Sequence, residues 1–145
     1  MGYKDCISDL MGEWFNLLDG NITFNGNDVP VYTDDVPTEV TEPYILLRAE
    51  GETTVKNNSG FFVNAVIITE IVTSYAVSVN RGDVDTINSQ ITELVFPTPN
   101  TYGINTLTNH QVTDIQLQSS TYLLEDADKK YYSKISRYEH FLNQN

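Results

Sequence analysis

Residues 61–72 read Phe-Phe-Val-Asn-Ala-Val-Ile-Ile-Thr-Glu-Ile-Val, the longest β-rich apolar run of the chain. Its odd positions Phe61, Val63, Ala65, Ile67 and Ile71 are apolar, and so are its even positions Phe62, Val66, Ile68 and Val72. A strand with one wet face alternates apolar and polar residues. This one alternates only weakly, through Asn64, Thr69 and Glu70. Both faces therefore need cover. A layer of helices on one side leaves the other to a further layer, such as another subunit.

The flanks of this run organise the rest of the sheet. Upstream, Tyr44 to Glu50 (YILLRAE) is a second strand, and Gly51 to Gly60 (GETTVKNNSG) is polar and bounded by glycines. That linker is longer than a tight hairpin needs, which predicts a mobile arm between antiparallel strands. Downstream, β-structure is expected to extend or bend through Ser74 to Val79 before Asn80-Arg81-Gly82 breaks the chain. A helix follows, with Asp83 as its N-cap, an apolar stripe of Val84, Ile87, Ile91, Leu94 and Val95, and Pro97 and Pro99 as its stop. Arg81-Gly82-Asp83 matches a cell-adhesion tripeptide, but a helix-start turn explains it fully. Thr98 to Asn109 reads as a polar loop.

Further out, Tyr3, Ile7, Leu10, Met11, Trp14 and Leu18 form one face of a helix over Tyr3 to Leu18, closed by Asp19-Gly20. Asn21 to Asp34 reads as a small hairpin, Ile22-Thr23-Phe24 and Val29 to Thr33 flanking Asn25-Gly26-Asn27-Asp28. Pro30 makes its second arm an edge strand at best. Asp34 to Glu42 is an acidic loop without the spacing or glycine of an EF-hand. The final third is a meander: Val112 to Leu124 and Lys130 to Leu142 around the charged turn Glu125 to Lys129. The fold class is α+β. A mainly antiparallel sheet of about four or five strands carries two helices on one face, with a small N-terminal hairpin, in a single domain over 1–145. Trp14, Leu10, Ile87 and Ile91 are expected to bury one face of the central strand.

The chain of 145 residues holds 8 basic and 20 acidic residues, a net charge of −12. Residues 1–50 hold two bases against ten acids, the most acidic third. Such a surface does not wrap nucleic acid, because duplex binding rests on neutralising phosphates. It suits either solubility or an acidic wall past which DNA slides without sticking. No apolar run approaches the roughly 18 residues of a membrane span, and MGYKDCISDL has no apolar signal core. The single Cys6 has no catalytic partner pattern, and His110 and His140 stand in no metal spacing. No catalytic, cofactor or metal site is expected, and the chain is read as a non-enzyme.

The order of elements resembles that of phage tail-terminator and tail-completion proteins, the head–tail joining group. The residues that carry the resemblance are the helix Tyr3–Leu18, the short strand Val31-Tyr32 before an acidic loop, and Pro43-Tyr44-Ile45-Leu46-Leu47. After the long strand Phe61–Val72 come the helix Asp83–Phe96 and the hairpin Tyr122-Leu123-Leu124-Glu125-Asp126 into Tyr131-Tyr132-Ser133-Lys134-Ile135. The chain departs from the pattern in its Gly51–Gly60 arm and in the Thr73–Val79 segment.

The resemblance implies a virion protein at the head–tail junction, made in the host cytoplasm and closed into a hexameric or dodecameric ring. Its partners would be adjacent tail-tube, portal or connector proteins, with DNA passing through unbound and no membrane contact. Heterologous contacts that close give such rings. On this reading Phe62, Val66, Ile68, Val55, Lys56 and Asn57 belong to the subunit interface, and Asp28, Asp34, Asp35, Glu39 and Glu42 face the channel. A small acidic binding or inhibitor protein that mimics nucleic acid is the alternative.

Overall fold

The computed structural model describes residues 2–145. The first helix, α1, spans Ile7–Leu18 and not Tyr3–Leu18. Asp5 Oδ1 accepts the Ile7 N–H at 2.7 Å, which satisfies an end donor and starts the helix there. Tyr3 lies outside it and donates its hydroxyl to Glu52 at 2.6 Å. Beyond Asp19, Gly20 takes a left-handed φ of 77°, as the stop signal requires.

The hairpin is tighter than its sequence pattern suggests. Strands β1 (Thr23–Phe24) and β2 (Asn27–Asp28) flank Asn25 and Gly26, whose φ values of 53° and 80° are those of a two-residue hairpin turn. Of the expected second arm, Val29 to Thr33, only Val29 stays with the hairpin, donating to the Ile22 carbonyl at 2.9 Å; the rest leaves it. The core of that arm, β3 (Val31–Thr33), instead pairs in parallel with β4 (Tyr44–Asn57). The turn type selects its immediate neighbours as arms, and Pro30 brings no N–H to continue the ladder.

The Gly51–Gly60 stretch is not a mobile arm. β4 pairs antiparallel with β5 (Gly60–Tyr75) along its length, down to Asn57 opposite Gly60. Thr and Val on both sides suit a strand ladder, and Asn57 Oδ1 accepts the Ser59 N–H at 2.7 Å in the turn. A bulge between Ala49 and Gly51 resets the register. The central strand stops at Tyr75, short of Val79.

The second helix, α2, spans Arg81–Val95, and its N-cap is Asn80, not Asp83. Asn80 Oδ1 accepts the Gly82 N–H at 2.9 Å, while Asp83 receives the Tyr75 hydroxyl at 2.6 Å. The following loop buries Ile104 and Leu107 despite its polar composition. Two long strands finish the chain, β6 (His110–Asp126) and β7 (Lys130–Gln144). The five-stranded sheet has the order β3-β4-β5-β7-β6, antiparallel except for the β3–β4 pair.

Both helices cover one face of this sheet. Leu10, Trp14, Ile87 and Ile91 join Val63, Ala65, Ile67 and Ile71 in one core. Full burial of each leucine, isoleucine or valine side chain here contributes about 1.5–3 kcal/mol. His140 sits inside the core: its Nε2 accepts from Trp14 Nε1 at 2.8 Å, and its Nδ1 lies 3.0 Å from the Ala65 carbonyl. The neutral ring with the proton on Nδ1 satisfies both contacts. Burial then holds its pKa down at about 4.

Candidate assembly surfaces

The two faces of β5 differ. Odd residues from Val63 to Thr73 are buried beneath the helices. Phe62, Asn64, Val66, Ile68 and Glu70 point to the other face and are only half-buried. Among the described residues no helix crosses that face. At one end the Val36–Val40 loop stands over it, leaving a cleft of about 500 Å³ against Tyr44, Glu70, Val72 and Ser133. This cover accounts for the burial of Val72 and Ser133 on an otherwise open face.

The open face is apolar at its centre with ion pairs across it. Arg48 approaches Glu70 at 3.4 Å, and Arg137 pairs with Glu50. Arg48 Nε is buried without a hydrogen-bond partner among the described residues. An unpaired buried donor of that kind costs about 1–3 kcal/mol unless something else meets it. Val55, Lys56 and Asn57 are exposed at the end of the β4–β5 hairpin, beyond the reach of the helices. Phe62 thus stands in the row of Val55, while Val66 and Ile68 lie nearer the sheet centre.

The five acids do not converge on one wall. Asp28 and Glu42 border a cleft of about 450 Å³ between the small hairpin and the end of β5. Asp34 lines a different cleft beside α1, and Asp35 and Glu39 are exposed on the loop. Glu42 is withdrawn: its side chain is 12% exposed and pairs with Lys129 at 3.8 Å. Among the described residues no group of three or more His, Cys, Asp or Glu is placed to hold a metal ion.

Several side chains acquire roles that the sequence pattern did not assign. Asp85 on α2 accepts from the Tyr122 hydroxyl at 2.6 Å and from Lys134 Nζ at 2.9 Å. Lys134 also lies over the Tyr122 ring, 4.9 Å from its centroid. The Tyr122 hydrogen bond, with Lys134 behind it, holds the Asp85 carboxyl below its ordinary range. Burial pulls the Lys134 ammonium down, but Asp85 and Tyr122 together carry it above its usual value. This clamp ties the β6–β7 hairpin to α2. Cys6 is buried and donates to Glu52 at 3.1 Å; burial first, then Glu52, pushes its thiol well up. That is a structural thiol, not an activated one. The Trp14–His140 contact was legible in part, since His140 shares parity with Tyr138 and Leu142 on β7.

The edge of β6 was missed altogether. From Leu117 to Asp126 every residue is exposed, with Leu117, Tyr122, Leu123 and Leu124 each more than 40% so.

No protein-family model matches the sequence, and no curated protein matches it. Among solved structures, a chain from a "Virion of native gene transfer agent (GTA) particle" shares the fold, with a TM-score of 0.59 at 11% identity. The likeness covers 92% of this chain and 92% of that one. Among the described residues no helix is long and apolar enough to cross a membrane.

Proposed function

We propose that this chain is a non-catalytic structural protein of a phage-like virion, forming a closed ring at the head–tail junction as a tail terminator or neck ring. The observation that carries the reading is the end-to-end fold likeness to a chain of a virion particle. The half-covered sheet face supports it, because an apolar face with an unpaired buried Arg48 donor is a surface awaiting a neighbour. The ring joins the tail tube to the portal or connector above it. The net charge of −12 keeps DNA from adhering as it passes, as a property of the whole surface and not of one wall of acids.

Assembly tests this directly. Negative-stain images and native mass spectrometry of the purified chain are expected to show rings, with the mass giving the copy number. Val66→Asp and Ile68→Asp place charges on the open face and are expected to leave helix and strand content intact while abolishing the rings. A monomer at every concentration that instead binds a DNA-binding protein would overturn the ring and favour the nucleic-acid mimic.

A further inference from the structure

The five-stranded sheet has two unfinished edges. β3 covers β4 only at Ile45–Leu47, leaving Glu50 to Asn57 unpaired on the outer side. At the opposite edge of the sheet, the preceding loop covers only the start of β6, through the Thr106–Gln111 bridge and the Val112 N–H to Asn105 carbonyl bond. Leu117 to Asp126 is exposed along its length, with Tyr122 alone tied back to α2 through Asp85. A long exposed edge with apolar side chains is a template for another strand, and native chains blunt such edges unless they use them. Only a bulge at Leu117/Ser119 interrupts this one.

We propose that the free edge of β6 in one copy pairs with the free edge of β4 in the next, so that the sheet runs on from subunit to subunit. This rests on the ring reading and specifies its joint. Three features of the chain select a second copy as the occupant. First, direction agrees. β4 is antiparallel to β5, β5 to β7 and β7 to β6, so β6 meets a rotated copy's β4 antiparallel. Second, facing agrees. Pairing Thr121 with Thr53 brings together residues that both point to the open face, as their own partners Ile135 and Asn64 do. The same register places Ser119 opposite Val55 and Tyr122 opposite Glu52, again side for side. Third, shape agrees. Leu123 falls opposite Gly51, where no atom lies within 4 Å of where a side chain would begin. Its side chain then lies beside Val66, the cross-strand partner of Gly51.

The geometry also closes. Within one sheet Leu123 shares a row with Val72, whereas Gly51 shares one with Val66. The next copy is therefore displaced by about six residue rows, or ~20 Å along the strands. Four strand spacings separate successive β4 strands, ~19 Å across. Together these make a tilt of about 45°, at the upper end of what closed barrels adopt.

The test is a cross-link. The double variant Thr53→Cys, Thr121→Cys, oxidised gently, is expected to give a ladder of covalent oligomers ending at the ring's copy number, and neither single variant to give one. Leu123→Lys, which charges the edge, is expected to raise the protein concentration needed for assembly at least ten-fold with unchanged circular dichroism. If wild-type rings form but the double variant yields no ladder and Leu123→Lys assembles normally, the edge joint is wrong and the ring stands. If the wild-type chain never assembles, both fall.

Discussion

Acidification offers a sharp measure of how the core is built. His140 is fully buried between Trp14 and the Ala65 carbonyl, and its folded pKa of about 4 lies below the 6.5 of a free imidazole. The fold therefore favours the neutral ring. Its contribution is fully present above pH 6.5 and is lost as pH falls from there through 4, because the unfolded chain takes up the proton first. The two pKa values correspond to a loss of about 2 kcal/mol by pH 5 and about 3 kcal/mol by pH 4. Against a total stability of about 5–15 kcal/mol that is a large fraction. Asp85 and Asp114, whose folded pKa values are lowered from 3.8, lose their contributions only as pH falls below that value. Trp14 is the chain's only tryptophan and touches the titrating ring, so its fluorescence in urea titrations at fixed protein concentration reports the transition directly. His140→Leu is expected to be less stable at pH 7 but to show a shallower slope between pH 6.5 and 4.5 than the wild-type chain. A flat profile in the wild-type chain, or the same slope in the variant, would refute the reasoning.

Two further outcomes follow from contacts away from that site. Asp85→Ala removes the acceptor shared by Tyr122 and the partly buried Lys134, and is expected to cost about 1–2 kcal/mol in urea unfolding. A double-mutant cycle with Tyr122→Phe is expected to be non-additive, since both changes break the same bond. Gly103→Ala would set a methyl group 2.1 Å from the Leu94 carbonyl oxygen and 3.1 Å from Leu17. Because the obstruction includes backbone, a loss of about 1–3 kcal/mol is expected as a lowered melting temperature, with Gly12→Ala, which meets nothing, as the control.

The local sequence determined the helical stripes of Leu10, Trp14, Ile87 and Ile91, the long strand at Phe61–Val72 and the α+β class, because hydrophobic period is a property of neighbouring residues. It also marked the central strand as apolar on both sides. What it could not determine were pairings between distant residues. Val31–Thr33 looked like the second arm of a hairpin, yet its partner is Ile45–Leu47, in parallel. Gly51–Gly60 looked like a loose arm, because Thr, Glu and Lys make no apolar pattern, yet the ladder to β5 orders it. Asp83 looked like a cap until Asn80, three residues earlier, accepted the Gly82 N–H. The candidate surfaces divide the same way. Val66 and Ile68 share one parity of the central strand, but with both parities apolar the sequence alone did not say which face the helices would leave open. The withdrawal of Glu42 onto Lys129, the Asp85–Lys134–Tyr122 clamp and the bare edge of β6 join residues far apart in the chain. Only the tertiary structure decides those, because hydrogen bonds and burial depend on which segments meet, not on which follow one another.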